Sequence, residues 1–563
     1  MAASFPTTSN EDIRDADAET LTQDISPTST SQESREPKSR AFYLSFMAIM
    51  VTIFLSALDL TAVGTALPTI AEALNDTKGD YTWVGSAYAL SSTIFIPLSG
   101  SLADAFGRRP IMLMTIAFFA IGSALTGAAQ DMPMIIASRA IQGIGGGAII
   151  NVSEILVADL VPLAERGLYQ GLIGLIWSLA SCIGPPVGGA LANKGHKAWR
   201  WLFFLNLPIC GVAFLLVLFF LSVKTPPGTT RDKLAQVDWF GNIIVMFGSG
   251  LAIIGLTWGG IRYPWQSAEV LAPLIIGLLL LVVFAIYEAK VPARPTIPSD
   301  VLANRTTLSS ILATAIHGIT SISIIYYLPV FFQACFGASP LRSSVDLLPT
   351  ALVTAPFAFF AGVAINILKR YREVNFTGWT ILIVGFGLLS TLKEDSSVAK
   401  WAGYQVVGAV GIGILFSSPV FPLLAPLPPN RAAAGLALFS FTRSFFQTWG
   451  ITISSTILQN MLQKKLPAEF VSRFPPGFEI AYAAIPVIKQ LEEPLKKQVQ
   501  AAFADSMAVI WQVMIGITGL GLLFSLLMAE VPMGTTVDDK YTLKETDDRL
   551  QADAEKQLSS SSQ

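Results

Sequence analysis

Charge is scarce in this chain: Asp, Glu, Lys and Arg make up 13% of its 563 residues, against 52% hydrophobic, and the mean hydropathy is +0.57. A water-soluble domain draws about a quarter of its residues from the charged set, so a soluble enzyme or binding module is excluded. Histidine occurs only at His196 and His317, and cysteine only at Cys182, Cys210 and Cys335. That inventory fits neither a disulfide framework nor a transition-metal cluster, so no metal and no other cofactor is expected and the cysteines are read as packing residues. The basic residues form no concentrated face, which excludes a nucleic-acid partner. The first forty residues lack a short apolar core with a small-residue cleavage site, so no cleavable signal peptide is expected.

What is abundant is the long apolar run. A bilayer core takes roughly 20 apolar residues per helix, and runs of that kind recur near 42–70, 82–104, 110–130, 133–158, 168–191, 200–223, 238–258, 271–288, 308–333, 345–368, 376–392, 401–424, 432–458 and 506–530. The chain is therefore expected to be an all-α membrane protein with fourteen transmembrane helices. An even count puts both termini on one side. The loops with Arg108 and Arg109, Lys224, Arg231 and Lys233, Lys290 and Arg294, and Lys369 to Arg372 share that side, which is cytosolic by the positive-inside rule. Lys194 and Lys197 fall opposite and are outvoted. Trp83, Trp199, Trp201, Trp265 and Trp401 stand at span ends, where an indole prefers the headgroup region. Polar tails at 1–40 and 531–563 are expected to be disordered and cytosolic. The stretch 462–505 reads as a long external loop, and Asn75, in Asn-Asp-Thr, as an external glycan acceptor.

Several polar residues stand where they are costly. Asp59 lies inside the first run and Arg139 inside the fourth; ionisable groups at such depth survive mainly on ion or proton pathways. Arg139 stays protonated and needs an anion, for which Asp59 and Glu154 are the candidates. Asp59 is read as a proton carrier, the alternative being a structural acid bonded to Thr61 or Thr65. At the end of the second run, Gly100, Asp104, Gly107, Arg108 and Arg109 precede Pro110. The macrodipole disfavours an anion at a helix C-terminus, so Asp104 needs a partner, while Gly107 permits the tight turn; together they read as a conformational latch. Gly184 and Gly188, with Pro185 and Gly189 alongside, form a close-packing face. Gln142, Trp177, His317, Tyr326, Arg443 and Gln447 are candidates for lining a substrate cavity.

Gly100 to Pro110 resembles the signature loop between the second and third helices of the major facilitator superfamily. Arg139-Ala-Ile-Gln142-Gly143-Ile-Gly145 resembles its fourth-helix motif, and Gly184 to Gly189 its fifth-helix antiporter motif. Leu58-Asp59-Leu-Thr61 with Ala66-Leu67-Pro68, and Trp199-Arg200-Trp201 with Asn206 and Pro208, resemble the fourteen-helix drug:proton antiporter branch. The resemblance implies a major facilitator fold of two six-helix bundles, 41–223 and 296–530, with two linking transmembrane helices in 224–295. A weak repeat agrees: Ala361-Gly362 with Lys369-Arg370 stands in the second half as Gly100 to Arg109 does in the first, though without the acid. The resemblance further implies a monomer in membrane lipid that exchanges protons for a small-molecule substrate, with a role for Arg139 in proton coupling. It points to a fungal type of toxin or multidrug efflux pump in the plasma membrane. A siderophore or basic amino acid transporter, with the vacuolar membrane as its alternative location, is the alternative within transporters, and a transporter-like sensor the alternative outside them.

Overall fold

The computed structural model describes residues 38–74, 82–192, 194, 197–260, 262–292, 294–474 and 480–535. Asn75, His196, most of the amino-terminal tail and the carboxyl-terminal tail from 536 onward lie outside the described residues.

Fourteen helices of 15 residues or more dominate what is described. They are α1 (Arg40–Ala73), α2 (Thr82–Phe106), α3 (Arg108–Ala128), α4 (Met132–Leu160), α5 (Arg166–Ala192), α6 (Asn206–Phe220), α7 (Trp239–Trp258) and α8 (Ala268–Lys290). The remainder are α9 (Arg305–Cys335), α10 (Leu348–Leu368), α11 (Arg372–Leu389), α12 (Val398–Ser417), α13 (Ala432–Lys465) and α14 (Leu495–Ser525). The ends follow local chemistry. Asp131 accepts a hydrogen bond from the Met134 amide (2.8 Å) and Pro133 sits in the first turn of α4, the usual pairing of an acidic N-cap with a proline that has no amide to waste. Asn304 and Asp238 cap α9 and α7 by accepting from the amides of Thr306 and Gly241, without a proline.

Among the described residues, twelve helices are long and apolar enough to cross a membrane. α11 and α13 stand outside that set. α11 has only 18 residues, and Arg372 and Glu373 cannot be left out of it; α13 carries Ser440, Arg443 and Gln447 along one face.

The expected long loop at 462–505 is largely helical, a correction to the hydropathy reading. α13 continues to Lys465, short helices cover Ala468–Val471 and Ile480–Ile488, and α14 begins at Leu495. The extension of α14 is amphipathic: Val499, Ala502 and Phe503 are buried while Lys497 and Gln498 face outward. Averaging over both faces hides such a helix from hydropathy.

α1 packs on α5, α2 and α3 on α4, and α6 on α1 and α3; in the later half α10 and α11 pack on α12, and α9 on α13 and α14. The two sets meet where α5 lies along α10 and where α13 lies against α2 and α4. The pair α7–α8 packs on itself and leans on α2 and α13. α8 buries few of its residues, as expected of a helix at the lipid boundary.

Candidate functional site

Asp59 is 1% exposed and sits midway along α1. Three side chains from two other helices close on it. Arg139 Nη1 donates to Oδ2 at 2.6 Å, while Gln142 Nε2 (2.9 Å) and Asn206 Nδ2 (2.8 Å) both donate to Oδ1. Gln142 is one helical turn from Arg139, so α4 presents both to the same acid; Asn206 comes from the start of α6. The second tier is equally ordered. Arg139 Nε donates to the Val84 carbonyl (3.0 Å), Arg139 Nη1 to Gln142 Oε1 (2.6 Å), and the guanidinium lies 4.3 Å from the centre of the Tyr88 ring. Ser123 Oγ on α3 accepts from both Gln142 (2.7 Å) and Asn206 (3.2 Å). A buried ion pair is tolerable only when the remaining hydrogen-bonding valences are met, and here the amides of α4 and α6 meet them.

The sequence candidates separate at this point. Arg139 takes Asp59 as its anion and leaves Glu154, whose Oε2 instead accepts from Ser440 Oγ at 3.1 Å across the contact between α4 and α13. Both expectations for Glu154 and Gln142 are corrected: Gln142 is fully buried on Asp59, and Glu154, three turns further along α4 than Gln142, faces another helix. Thr61 Oγ1 turns to the carbonyls of Ala57, Leu58 and Ala180, so it does not hold Asp59. Gly184 explains that turn, because a Cβ there would stand 2.2 Å from Thr61 Oγ1, and the bare backbone is what lets α5 reach α1.

A second polar group lies between α9, α12 and α13. Arg443 Nη2 donates to the Phe416 carbonyl (2.8 Å), and its guanidinium lies over the rings of Phe439 and Phe416. His317 Nε2 is 3.3 Å from the Ile412 carbonyl. Ser440, Arg443 and Gln447 recur at helical spacing on α13, and Arg443 and Glu154 interact electrostatically. Trp177 is half-buried against the cluster of Ala57, Leu58 and Ala180, whereas Tyr326 is 48% exposed and packs beside Tyr327.

The turn after α2 forms an ion triad. Arg108, 1% exposed, donates from Nη1 to Asp104 Oδ1 (2.7 Å) and to the Ala103 carbonyl (2.8 Å), and from Nε to Asp159 Oδ2 (2.7 Å). Gly107 stands at φ 95°, open to glycine and costly for other residues. Arg109 reaches the Leu218 carbonyl of α6. Asp159 was not among the sequence candidates, because it lies one residue beyond the expected end of its span; an acid closing the fourth apolar run on the side of Arg108 was the available signal.

In the corresponding turn of the second half Arg370 pairs with Glu373 (3.2 Å), and the chain after α14 supplies a second acid. Glu530 accepts from the amides of Tyr371 (3.0 Å) and Arg372 (3.4 Å), where α11 begins. Tyr371 donates its hydroxyl to the Ala529 carbonyl (2.7 Å) and accepts from the Val531 amide (2.9 Å). Burial pushes that hydroxyl up to about 12. The segment then crosses to the first half, where the Ala164 amide donates to the Gly534 carbonyl (3.3 Å). No local pattern in the sequence couples Glu530 to Tyr371.

Many apolar helices in two packed sets, a buried ion pair inside one set and an ion triad at a helix turn define a multi-pass membrane protein of the transporter class. Residues 49–239 match the Major Facilitator Superfamily profile. Efflux pump FUS6 of Gibberella moniliformis is 36% identical over 522 residues, covering 91% of this chain and 92% of that protein. The MFS-type transporter gkaD of Penicillium citrinum is 35% identical over 550 residues, 96% and 93% respectively. The chain belongs to the major facilitator superfamily. Its fold resembles that of the human organic anion transporter MFSD10 (TETRAN), with TM-score 0.53 and 15% identity over 87% of this chain and 100% of the other. A double-tryptophan XylE variant gives TM-score 0.57 and 14% identity over 88% and 97%.

Proposed function

We propose that this protein exports small organic molecules, of the toxin or secondary-metabolite kind, by alternating access driven by protons. In this reading α11 and α13 also cross the membrane, giving fourteen spans; the protein works as a monomer in the plasma membrane with both termini cytosolic and Asn75 glycosylated. Export is favoured by relatives named efflux pumps. The observation that carries proton coupling is the environment of Asp59.

Asp59 Oδ1 already accepts two amide donors, and Oδ2 accepts only the guanidinium. A proton arriving at Oδ2 breaks the ion pair. Arg139 then still has the Val84 carbonyl, Gln142 Oε1 and the Tyr88 ring, so the cation is not stranded. What is lost is the ionic part of the link between α1 and α4, which leaves the Gln142 amide on Oδ1 to hold them and weakens the preference of those helices for one arrangement. One charge moving down 100 mV yields about 2.3 kcal/mol and one pH unit adds about 1.4 kcal/mol. At about 1.4 kcal/mol per tenfold step, the sum sustains more than a hundredfold gradient of a neutral solute.

The test is reconstitution in proteoliposomes with a panel of lipophilic metabolites and an imposed pH gradient. Substrate movement against the proton gradient, with a matching proton flux, is expected from the native protein. Asp59→Asn should abolish uphill movement while leaving downhill exchange. Uphill transport by Asp59→Asn at the native rate would overturn the assignment.

A further inference from the structure

The linking helices hold a pair of carboxylates that the transport cycle does not use. Asp238 caps α7 and Glu288 lies near the end of α8, with only 6% of its surface exposed. Each acid is half satisfied. Asp238 Oδ1 accepts from the Gly241 amide (3.0 Å) and the Tyr287 hydroxyl (3.2 Å), and Glu288 Oε2 accepts from the Ile297 amide (3.3 Å). The other two oxygens, Asp238 Oδ2 and Glu288 Oε1, are buried and have no hydrogen-bond partner among the described residues. They converge: a Cβ on Gly241 would lie 2.2 Å from the first and 2.7 Å from the second. The bare backbone of Gly241 is the room in which the two acids meet.

Two buried acceptors facing each other without a donor are costly, and two like charges at that separation cannot both be ionised cheaply. A single hydrogen between them removes both penalties. Among the described residues neither acid has an ion pair. Asp232 and Arg294 line a cavity of about 520 Å³ together with Asp238, Gln236 and Pro292. That cavity gives a proton a route to the pair. The same corner is tied to the latch: Asn242, one turn beyond Asp238, donates to Thr296 Oγ1 (2.8 Å) and to Ser101 Oγ of α2 (3.4 Å), three residues before Asp104.

We propose that Asp238 and Glu288 form a proton-binding site that holds one proton between them and clasps α7, α8 and the 294–298 segment against the latch end of α2. Loss of the proton leaves two facing carboxylates and loosens the clasp, so the contribution is present in acid and lost as pH rises. The site goes beyond the export reading and does not depend on Asp59.

The test uses the full chain in detergent, with Tm followed from mildly acidic to mildly alkaline buffer. Asp238→Asn keeps a capping side chain and Glu288→Gln keeps the shape of the acid; each replaces the shared hydrogen by an amide donor. The native protein should lose roughly 2 °C or more across the range. Either variant should remove that loss, and the double variant should add nothing further, as a single shared proton requires. A native slope in both single variants would overturn the proposal. So would an alkaline Tm rescued by sodium, potassium or calcium ions in the native protein alone, which would assign the oxygens to a metal cation.

Discussion

Gly167 on α5 and Gly362 on α10 face each other so closely that a Cβ on the first would lie 2.0 Å from the carbonyl oxygen of the second, and the reverse contact would be 2.2 Å. The two halves of the molecule touch there backbone to backbone. Gly167→Ala or Gly362→Ala must push the helices apart, at a cost of about 1–3 kcal/mol for overpacking. The expected outcome is a fold that persists with the Arg108 end held open. Transport should fall at least tenfold, and a cysteine placed at Ala361 should react faster with a water-soluble thiol reagent.

Arg108 is buried between two acids, and Asp159→Ala leaves its Nε without an acceptor and the cation paired with the half-exposed Asp104 alone. The loss should be about 1–3 kcal/mol. Asp104, whose side chain is 46% exposed, should cost about 1 kcal/mol or less when replaced by Ala. Thermal unfolding in detergent ranks the two, and equal losses would contradict the geometry.

Asn206 and Gln142 donate to the same oxygen of Asp59. Asn206→Ala removes one of these donors and leaves a buried polar group short of a partner, at a cost of about 1–3 kcal/mol. Ser123→Ala, one bond further from the acid, should cost less. Thermal unfolding in detergent ranks the two, and a larger loss for Ser123→Ala would contradict the geometry.

Glu530 caps α11 from outside the helix. Glu530→Ala leaves the amides of Tyr371 and Arg372 without that acceptor, at a cost of about 0.5–2 kcal/mol. It also weakens the hold on the crossing segment. Hydrogen exchange should accelerate at Val531 and at the first turn of α11, with the core of α12 unchanged.

Much of this architecture is legible in the sequence because burial in lipid forces each span to satisfy its own backbone. The apolar runs consequently mark the helices. The pairing of Asp59 with Arg139 follows from the same economy: two opposite charges deep in apolar runs have few other partners. The run near 432–458 marked α13 despite Ser440, Arg443 and Gln447, whereas hydropathy failed at the start of α14, where the helix is polar on one face. It also failed for Gln142, whose polarity read equally well as a cavity wall.

The sequence by itself determined which segments are helices, which side chains are too costly to be idle, and the family to which the chain belongs. Only the tertiary structure decided that Glu154 faces Ser440 and not Arg139, that Asp159 completes the triad at Arg108, that Glu530 serves a helix 158 residues before it in the chain, and that Asp238 meets Glu288. Helical periodicity fixes which residues share a face, but which faces meet depends on how two helices far apart in sequence approach each other. That approach is set by small residues such as Gly167, Gly241 and Gly362, whose spacing in the chain carries no record of their partners.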